Sequence, residues 1–387
     1  MTENLDGILK DGIAVGAAAG ASATVVDRTK VLWEGAAGER TLGSGMPMTV
    51  DTVGAIYSMT KAVTGAAAMQ LVEQGRLDLD APASAVIAWL GEVEVLSGFD
   101  AAGQPLTRPP RSPVTLRHLL THTSGFVYEI WNGADKRWRE TTGADSLFSG
   151  RNAALQAPLA FDPGTRWEYG IGIDWVGKMV EAVSGLTLGQ YFEQHLTGPL
   201  QMADTAFVHT ASMLERAAGL HHRQPDGALV AAPNQQPAER EFESGGGGLQ
   251  STTADYGRFI RMILNEGELD GERVLAASTV REMATNQIGS LRVSALHTVL
   301  PSHSNDAEFF PGQGKSWGLT FQINETACET GRSAGTLMWA GLANSFYWID
   351  PKKGIGGAYL SQTLPFADAP SMELYFALER EAYRAIS

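Results

Sequence analysis

The chain has a single cysteine, Cys328, in 387 residues. No intrachain disulfide can form, so the core alone must hold the fold. Charge is sparse: 19% of residues are Asp, Glu, Lys or Arg, below the roughly 25% of an ordinary soluble domain. What charge exists runs acidic, with a net of −14 and no run of lysine or arginine. That argues against nucleic acid as a partner, because displacing phosphate counterions needs a basic patch. Anionic membrane surfaces are disfavoured for the same reason. No apolar stretch reaches the length of about 18 residues that a membrane span requires. The start, "MTENLDGILKDG", has neither the basic nor the apolar part of a signal peptide. A cytoplasmic protein is the expectation. Internal repeats are missing, and the four glycines 245–248 are the one low-complexity run.

Hydrophobic residues make up 44% of the chain, enough for a substantial core. Residues 21–38 read as a hairpin, two apolar runs around the turn "DRTK". A helix is predicted over 58–74, with Gly75 as its C′ residue. Between about 81 and 243, helical stretches such as "ASAVIAWL", "TLRHLLTH" and "IDWVGKMVEAVSG" alternate with Pro/Gly loops, and no strand pair is evident. A helix capped by Ser or Thr follows "GGGGLQ". The end reads as strands, "SWGLTFQINE", "GTLMWAGLANSFYWID" and "GIGGAYLSQ", and then a closing amphipathic helix. The predicted fold class is α+β: an antiparallel sheet built from 1–80 and 244–387, with a mainly helical region over 81–243 and a site where the two meet.

The chemistry concentrates at one helix mouth. Ser58-Met59-Thr60-Lys61 is an S-x-x-K motif opening a helix that is apolar nearly all round. Three residues is about one turn, so both side chains share a face. The helix N-terminus favours a developing alkoxide and disfavours an ammonium. Burial lowers the lysine pKa further, and a neutral amine beside a hydroxyl can take its proton. The plain alternative is Ser58 as an N-cap with Lys61 reaching out to solvent.

Three other motifs point elsewhere and fail. Gly331-Arg332-Ser333-Ala334-Gly335 has the G-x-S-x-G spacing of a nucleophile elbow, but a strand pattern follows it and every histidine precedes it. His118 and His122 have the i, i+4 spacing of a zinc helix without the catalytic glutamate or a third ligand. "SGGGGLQS" lacks the Lys-Ser/Thr of a phosphate loop, which leaves close backbone packing as its reading.

Five segments, in order, resemble the serine β-lactamase and penicillin-binding-protein superfamily, and most of all its carboxylesterase branch, the family VIII esterases. They are "YSMTKAVTGAAAMQLVEQGRLDLDAP", "TLRHLLTHTSGF", "FDPGTRWEYGIGIDWVGKMVEAVSG", "ESGGGGLQSTTADYGRFIRMILNEG" and "WAGLANSFYWIDP". The resemblance implies Ser58 as acyl-accepting nucleophile, with Lys61 and Tyr169 sharing the proton work. A neighbouring ammonium is expected to lower the Tyr169 pKa. The backbone N–H groups of Ser58 and Leu342 would form the oxyanion hole, where a single donor is worth about 3 kcal/mol. Trp339, Ala340 and Gly341 would bind substrate, Gly341 by letting it approach the strand. Asp174 follows the esterase pattern as a supporting residue.

Two departures separate the chain from β-lactamases. Trp339 stands in place of a lysine that recognises a carboxylate, and offers an apolar wall instead. Ile171 stands where those enzymes carry a polar residue. The resemblance therefore implies a serine carboxylesterase acting on small, largely neutral esters, with no metal or organic cofactor. The alternatives are a β-lactamase or D-aminopeptidase type of amide hydrolase, an acyltransferase on the same residues, or a binding protein that keeps the fold without turnover. Trp131, Trp138, Phe148 and Phe309 are candidates either to line the cleft or to pack in the core.

Overall fold

A computed structural model describes residues 2–232 and 240–386. Residues 233–239, within the region expected to be mainly helical, lie outside the described residues. The main sheet has seven strands. They are β1 (Gly20–Asp27), β2 (Val31–Gly38), β3 (Lys315–Trp317), β4 (Gln322–Asn324), β5 (Leu337–Gly341), β6 (Ser345–Asp350) and β7 (Ile355–Leu360), in the order β3-β4-β5-β6-β7-β1-β2. Every pairing is antiparallel, and β1 closes on β7 with Ser22 opposite Leu360. The sheet therefore joins the two ends of the chain, as the patterning of the first and last segments predicts.

Side-chain alternation on β6 shows how both faces are covered. Phe346 and Trp348 meet Tyr375 of the closing helix α5 (Ala369–Ile386), with ring centroids 4.6 and 6.0 Å apart. Tyr347, between them, faces the opposite side and meets Tyr256 of helix α4 (Thr253–Leu264) at 5.1 Å. A strand buried on both faces reads as continuously apolar, as "SFYWID" does. Helix α1 (Thr2–Ala14) packs beside α5, and the Thr252 hydroxyl caps α4 through the Asp255 N–H.

The helix predicted from residue 58 begins as a 3-10 turn over Tyr57–Met59 and becomes helix α2 at Thr60–Glu73. Residues 60–71 are all buried, which accounts for the absence of any polar stripe. Gly75 takes φ 66°, the left-handed C′ position expected of it. Helix α3 (Gly172–Ser184) packs against α2, and Gly185 ends it in the same left-handed way.

Two strand pairs escaped the patterning of 81–243. Val95–Phe99 pairs with Pro105–Arg108, and Leu220–Arg223 pairs with Leu229–Ala232. The first pair is mostly half-buried and carries a proline, so it shows no apolar run. "ASAVIAWL" forms two 3-10 turns, Ala83–Ala85 and Ala88–Gly91, instead of a helix, with the β-branched Ile87 extended between them. Among the described residues no helix is long and apolar enough to cross a membrane.

Candidate active site

The chain must bend sharply to present Ser58. Tyr57, just before it, sits at φ 44°, a left-handed conformation that costs a bulky residue energy. Two contacts hold the strained turn: the Tyr256 hydroxyl donates to the Met59 carbonyl at 2.9 Å, and the Leu249 N–H donates to the Thr60 hydroxyl at 3.1 Å. Strand β5 runs alongside. A Cβ on Gly341 would lie 2.3 Å from the Ile56 carbonyl oxygen. The space this glycine leaves is taken by the chain itself, which packs strand against turn, and Gly341 also borders a small recess beside Ser58 together with Trp339 and Ala340.

Lys61 is fully buried. Its Nζ lies 3.1 Å from Ser58 Oγ, 3.0 Å from the Tyr128 hydroxyl and 2.5 Å from the Gly246 carbonyl oxygen. The reading in which this amine reaches out to solvent is therefore excluded. Burial pulls its pKa down to about 7, and the Asp174 carboxylate opposes the fall. A carbonyl can only accept, so Lys61 must donate to Gly246. A neutral amine has two N–H groups and one lone pair. With the donors turned to Gly246 and Tyr128, the lone pair is left for the Ser58 hydroxyl.

Asp174 acts on this arrangement from behind. It accepts from the Ser244 hydroxyl at 2.6 Å and from the Gly246 N–H at 2.9 Å. A Cβ on Gly246 would fall 2.3 Å from its carboxylate oxygen, which is why the glycine run packs where it does. Burial raises the Asp174 pKa, and Lys61 is the largest influence pulling it back. Exchanging Asp174 for Asn keeps the acceptor and removes the charge. In that variant the rise of kcat/KM with pH, centred near 7 in the native protein from the Lys61 value, is expected at lower pH. A pH–rate profile of both proteins checks this, and an unshifted limb would remove Asp174 from the electrostatics.

Tyr169 is hydrogen-bonded to Ser58, and the indole N–H of Trp339 donates to its hydroxyl at 3.1 Å. Its ring packs against His122, Trp339, Tyr128 and Trp131 at 4.7, 4.8, 5.2 and 5.5 Å. This cage corrects one expectation. The Tyr169 pKa is raised, not lowered, because loss of water outweighs the indole N–H that favours the phenolate. Trp339 borders a small recess beside Ser58, and its one polar atom is committed to Tyr169.

Tyr128 was missed by the sequence reading. It is buried around its hydroxyl, its pKa is pushed well up, and it reaches Lys61 from 67 positions away. Its only signal was its place directly after "TSGFV".

A cavity of about 160 Å³ lies beside Ser58. Tyr57, Gly246, Gly247 and Leu342 border it on the sheet side, with Ile171 and Asp174 from the start of α3. The opposite wall comes from Ile130, Trp131, Leu147, Phe148 and Leu155. Of the four aromatic candidates, Trp131 and Phe148 line this cavity, whereas Phe309 packs against Trp339 and Phe346 in the core. Trp138 does not border it. A buried cation braces part of this wall. Arg139 pairs with Asp135 at 2.9 Å and Glu129 at 3.6 Å, and donates to the carbonyls of Asp145 and Ala154.

The rejected motifs have internal uses. Ser333 donates its N–H to Asp350 and lies apart from the cavity. The His118 ring accepts from the Thr115 N–H in a capping box, and the His122 ring accepts from the Gly170 N–H. Burial pushes the Cys328 thiol up to about 11, so it stays protonated near neutral pH.

A family model described as beta-lactamase matches residues 5–380. The chain belongs to the beta-lactamase family. Within that family it is 32% identical over 371 residues to a lovastatin esterase of Penicillium rubens, covering 91% of this chain and 90% of the relative. It is 31% identical over 347 residues to a monacolin J acid methylbutanoyltransferase of Aspergillus terreus, covering 87% and 83%. The unliganded simvastatin synthase from Aspergillus terreus superposes with a TM-score of 0.86 at 29% identity, over 99% of this chain and 98% of that one. The beta-lactamase fold is thus shared from end to end, with relatives named both as an esterase and as acyltransferases.

Proposed function

We propose that this protein is a serine enzyme that cleaves carboxylic esters through an acyl group carried on Ser58. The observation that supports this most is the dry Lys61 amine, held 3.1 Å from Ser58 Oγ with a pKa of about 7. At neutral pH about half of such an amine is uncharged, so nucleophile and base coexist without another cofactor. Attack by Ser58 Oγ on the ester carbonyl develops an oxyanion at the N–H groups of Ser58 and Leu342, and the alcohol leaves. Water or a second alcohol then takes the acyl group. The lining of Ile130, Leu147, Phe148 and Leu155 suits a short or branched apolar acyl group. Trp339 and Ile171, in place of polar groups, support neutral esters over β-lactams and a likeness to the carboxylesterase branch. Transfer to an alcohol is the second reading, favoured by this apolar cavity and by relatives named as acyltransferases.

Incubation with a fluorophosphonate should add one mass increment to the peptide that contains Ser58 and leave Ser333 unmodified. A label on Ser333, or no label, overturns the assignment. Product analysis of p-nitrophenyl butyrate turnover with and without an added alcohol then separates hydrolysis from transfer.

A further inference from the structure

Lys61 and Tyr169 both lie beside Ser58, and each can hold or give a proton there. The hydrogen bonds around Tyr169 bear on this. An indole N–H donates and cannot accept, so at the Trp339 contact of 3.1 Å the Tyr169 oxygen must be the acceptor. A phenol hydroxyl lies near its ring plane, with the proton on one side and the acceptor lobe on the other. Once Trp339 occupies the acceptor side, the proton is directed to the other partner, Ser58. Trp339 itself has little freedom to turn. Its ring meets Trp317 edge-on at 4.7 Å, and the Trp317 N–H is anchored on the Leu120 carbonyl at 3.2 Å.

Building on the Ser58 reading, we propose that Trp339 is a positioning residue that acts through Tyr169. By filling the acceptor side of the phenol it makes Tyr169 the acid that protonates the departing alcohol, and it leaves Lys61 as the base. The protons balance. In acylation the Ser58 hydroxyl gives its proton to Lys61, the Oγ–carbon bond forms, the carbon–alkoxide bond breaks, and the alkoxide takes the Tyr169 proton. The acyl-enzyme then holds a Lys61 ammonium and a Tyr169 phenolate, the latter stabilised by the Trp339 N–H. In deacylation water, or an acceptor alcohol, gives its proton to the phenolate and attacks the acyl carbon. Ser58 Oγ leaves and regains its proton from Lys61. The raised Tyr169 pKa fits this order, because it keeps the phenol protonated in the free enzyme.

The test uses leaving groups. A nitrophenolate departs without a proton, whereas an ethoxide needs one. Trp339→Phe keeps a ring and removes the N–H. For this variant kcat/KM, which reports the steps through departure of the alcohol, should fall about 10- to 100-fold more for ethyl butyrate than for p-nitrophenyl butyrate, the worth of a hydrogen bond to a charged group. Equal losses on both esters, as a packing role or a substrate wall would give, overturn the proposal, as does no loss. Should Trp339→Phe fail to fold by circular dichroism, Tyr169→Phe is compared on the same two esters, and equal losses there overturn it likewise. Fluorophosphonate labelling of the native protein keeps the two readings apart. Absence of label at Ser58 defeats the esterase reading, whereas a labelled Ser58 with equal losses defeats only the role of Trp339.

Discussion

Exchanging Lys61 for methionine should abolish turnover and yet raise the melting temperature. Methionine matches the length of the lysine stem and needs no water. The native amine is held at about 7 from an ordinary 10.5, which at neutral pH corresponds to a folding penalty of roughly 4 kcal/mol. The sign is clear. The unfolded chain keeps this lysine charged up to about 10.5, while the folded chain releases the proton near 7. The penalty is therefore complete below pH 7 and is relieved as pH rises toward 10.5. Against the gain stands the Gly246 carbonyl, left without its donor at a cost of about 1–3 kcal/mol. The balance favours the variant by roughly 1–3 kcal/mol, a rise of a few degrees in Tm. Turnover, deprived of its base, should drop by about 10⁴-fold or more. Differential scanning calorimetry at pH 7 and pH 9 reads both signs, since the stability gap between the two proteins should narrow at the higher pH. A variant that melts lower at pH 7, or that keeps its activity, would contradict the account of a buried and useful amine.

Ser58→Ala should give the largest catalytic loss. Removing the attacking oxygen of a serine enzyme typically costs on the order of 10⁶ in kcat, because the remaining base and oxyanion donors then have no covalent step to assist. Stability should change little, since Ser58 contributes one hydroxyl to a turn that Tyr256 and Leu249 already hold. The measurement is a single-turnover assay with p-nitrophenyl butyrate, together with a far-ultraviolet spectrum to confirm the fold. Activity retained above about a hundredth of the native rate would point to another nucleophile.

What could be read before the structure followed from local chemistry. The helix carrying Ser58 and Lys61 announced its burial by lacking a polar face, and the terminal strands by their apolar runs. Gly75 and Thr252 marked helix ends through backbone requirements that belong to single residues. Tyr128 could not be found in this way: the chain has nine tyrosines, and what sets this one apart is contact with a lysine 67 positions distant. The direction of the Tyr169 shift was misjudged because it depends on a cage assembled from separate segments. A nearby ammonium can be inferred from a motif, but the exclusion of water cannot. The half-buried pair at 95–108 was illegible for the opposite reason, since strands that bury little leave a weak hydrophobic imprint.

The bracing of the outer cavity wall bears on how such an enzyme changes its diet. Nucleophile, amine and glycine run are welded to the sheet and to the helix beneath it, whereas the panel that would measure the acyl group is braced by one guanidinium with the two carbonyls it holds, and by bonds from Trp131 to Ser304 and from Val299 to the Ile130 carbonyl. Substitutions on that panel can alter what is admitted without disturbing the proton traffic behind it. Divergence within this lineage would then proceed by remodelling the braced panel while the chemical engine is inherited unaltered.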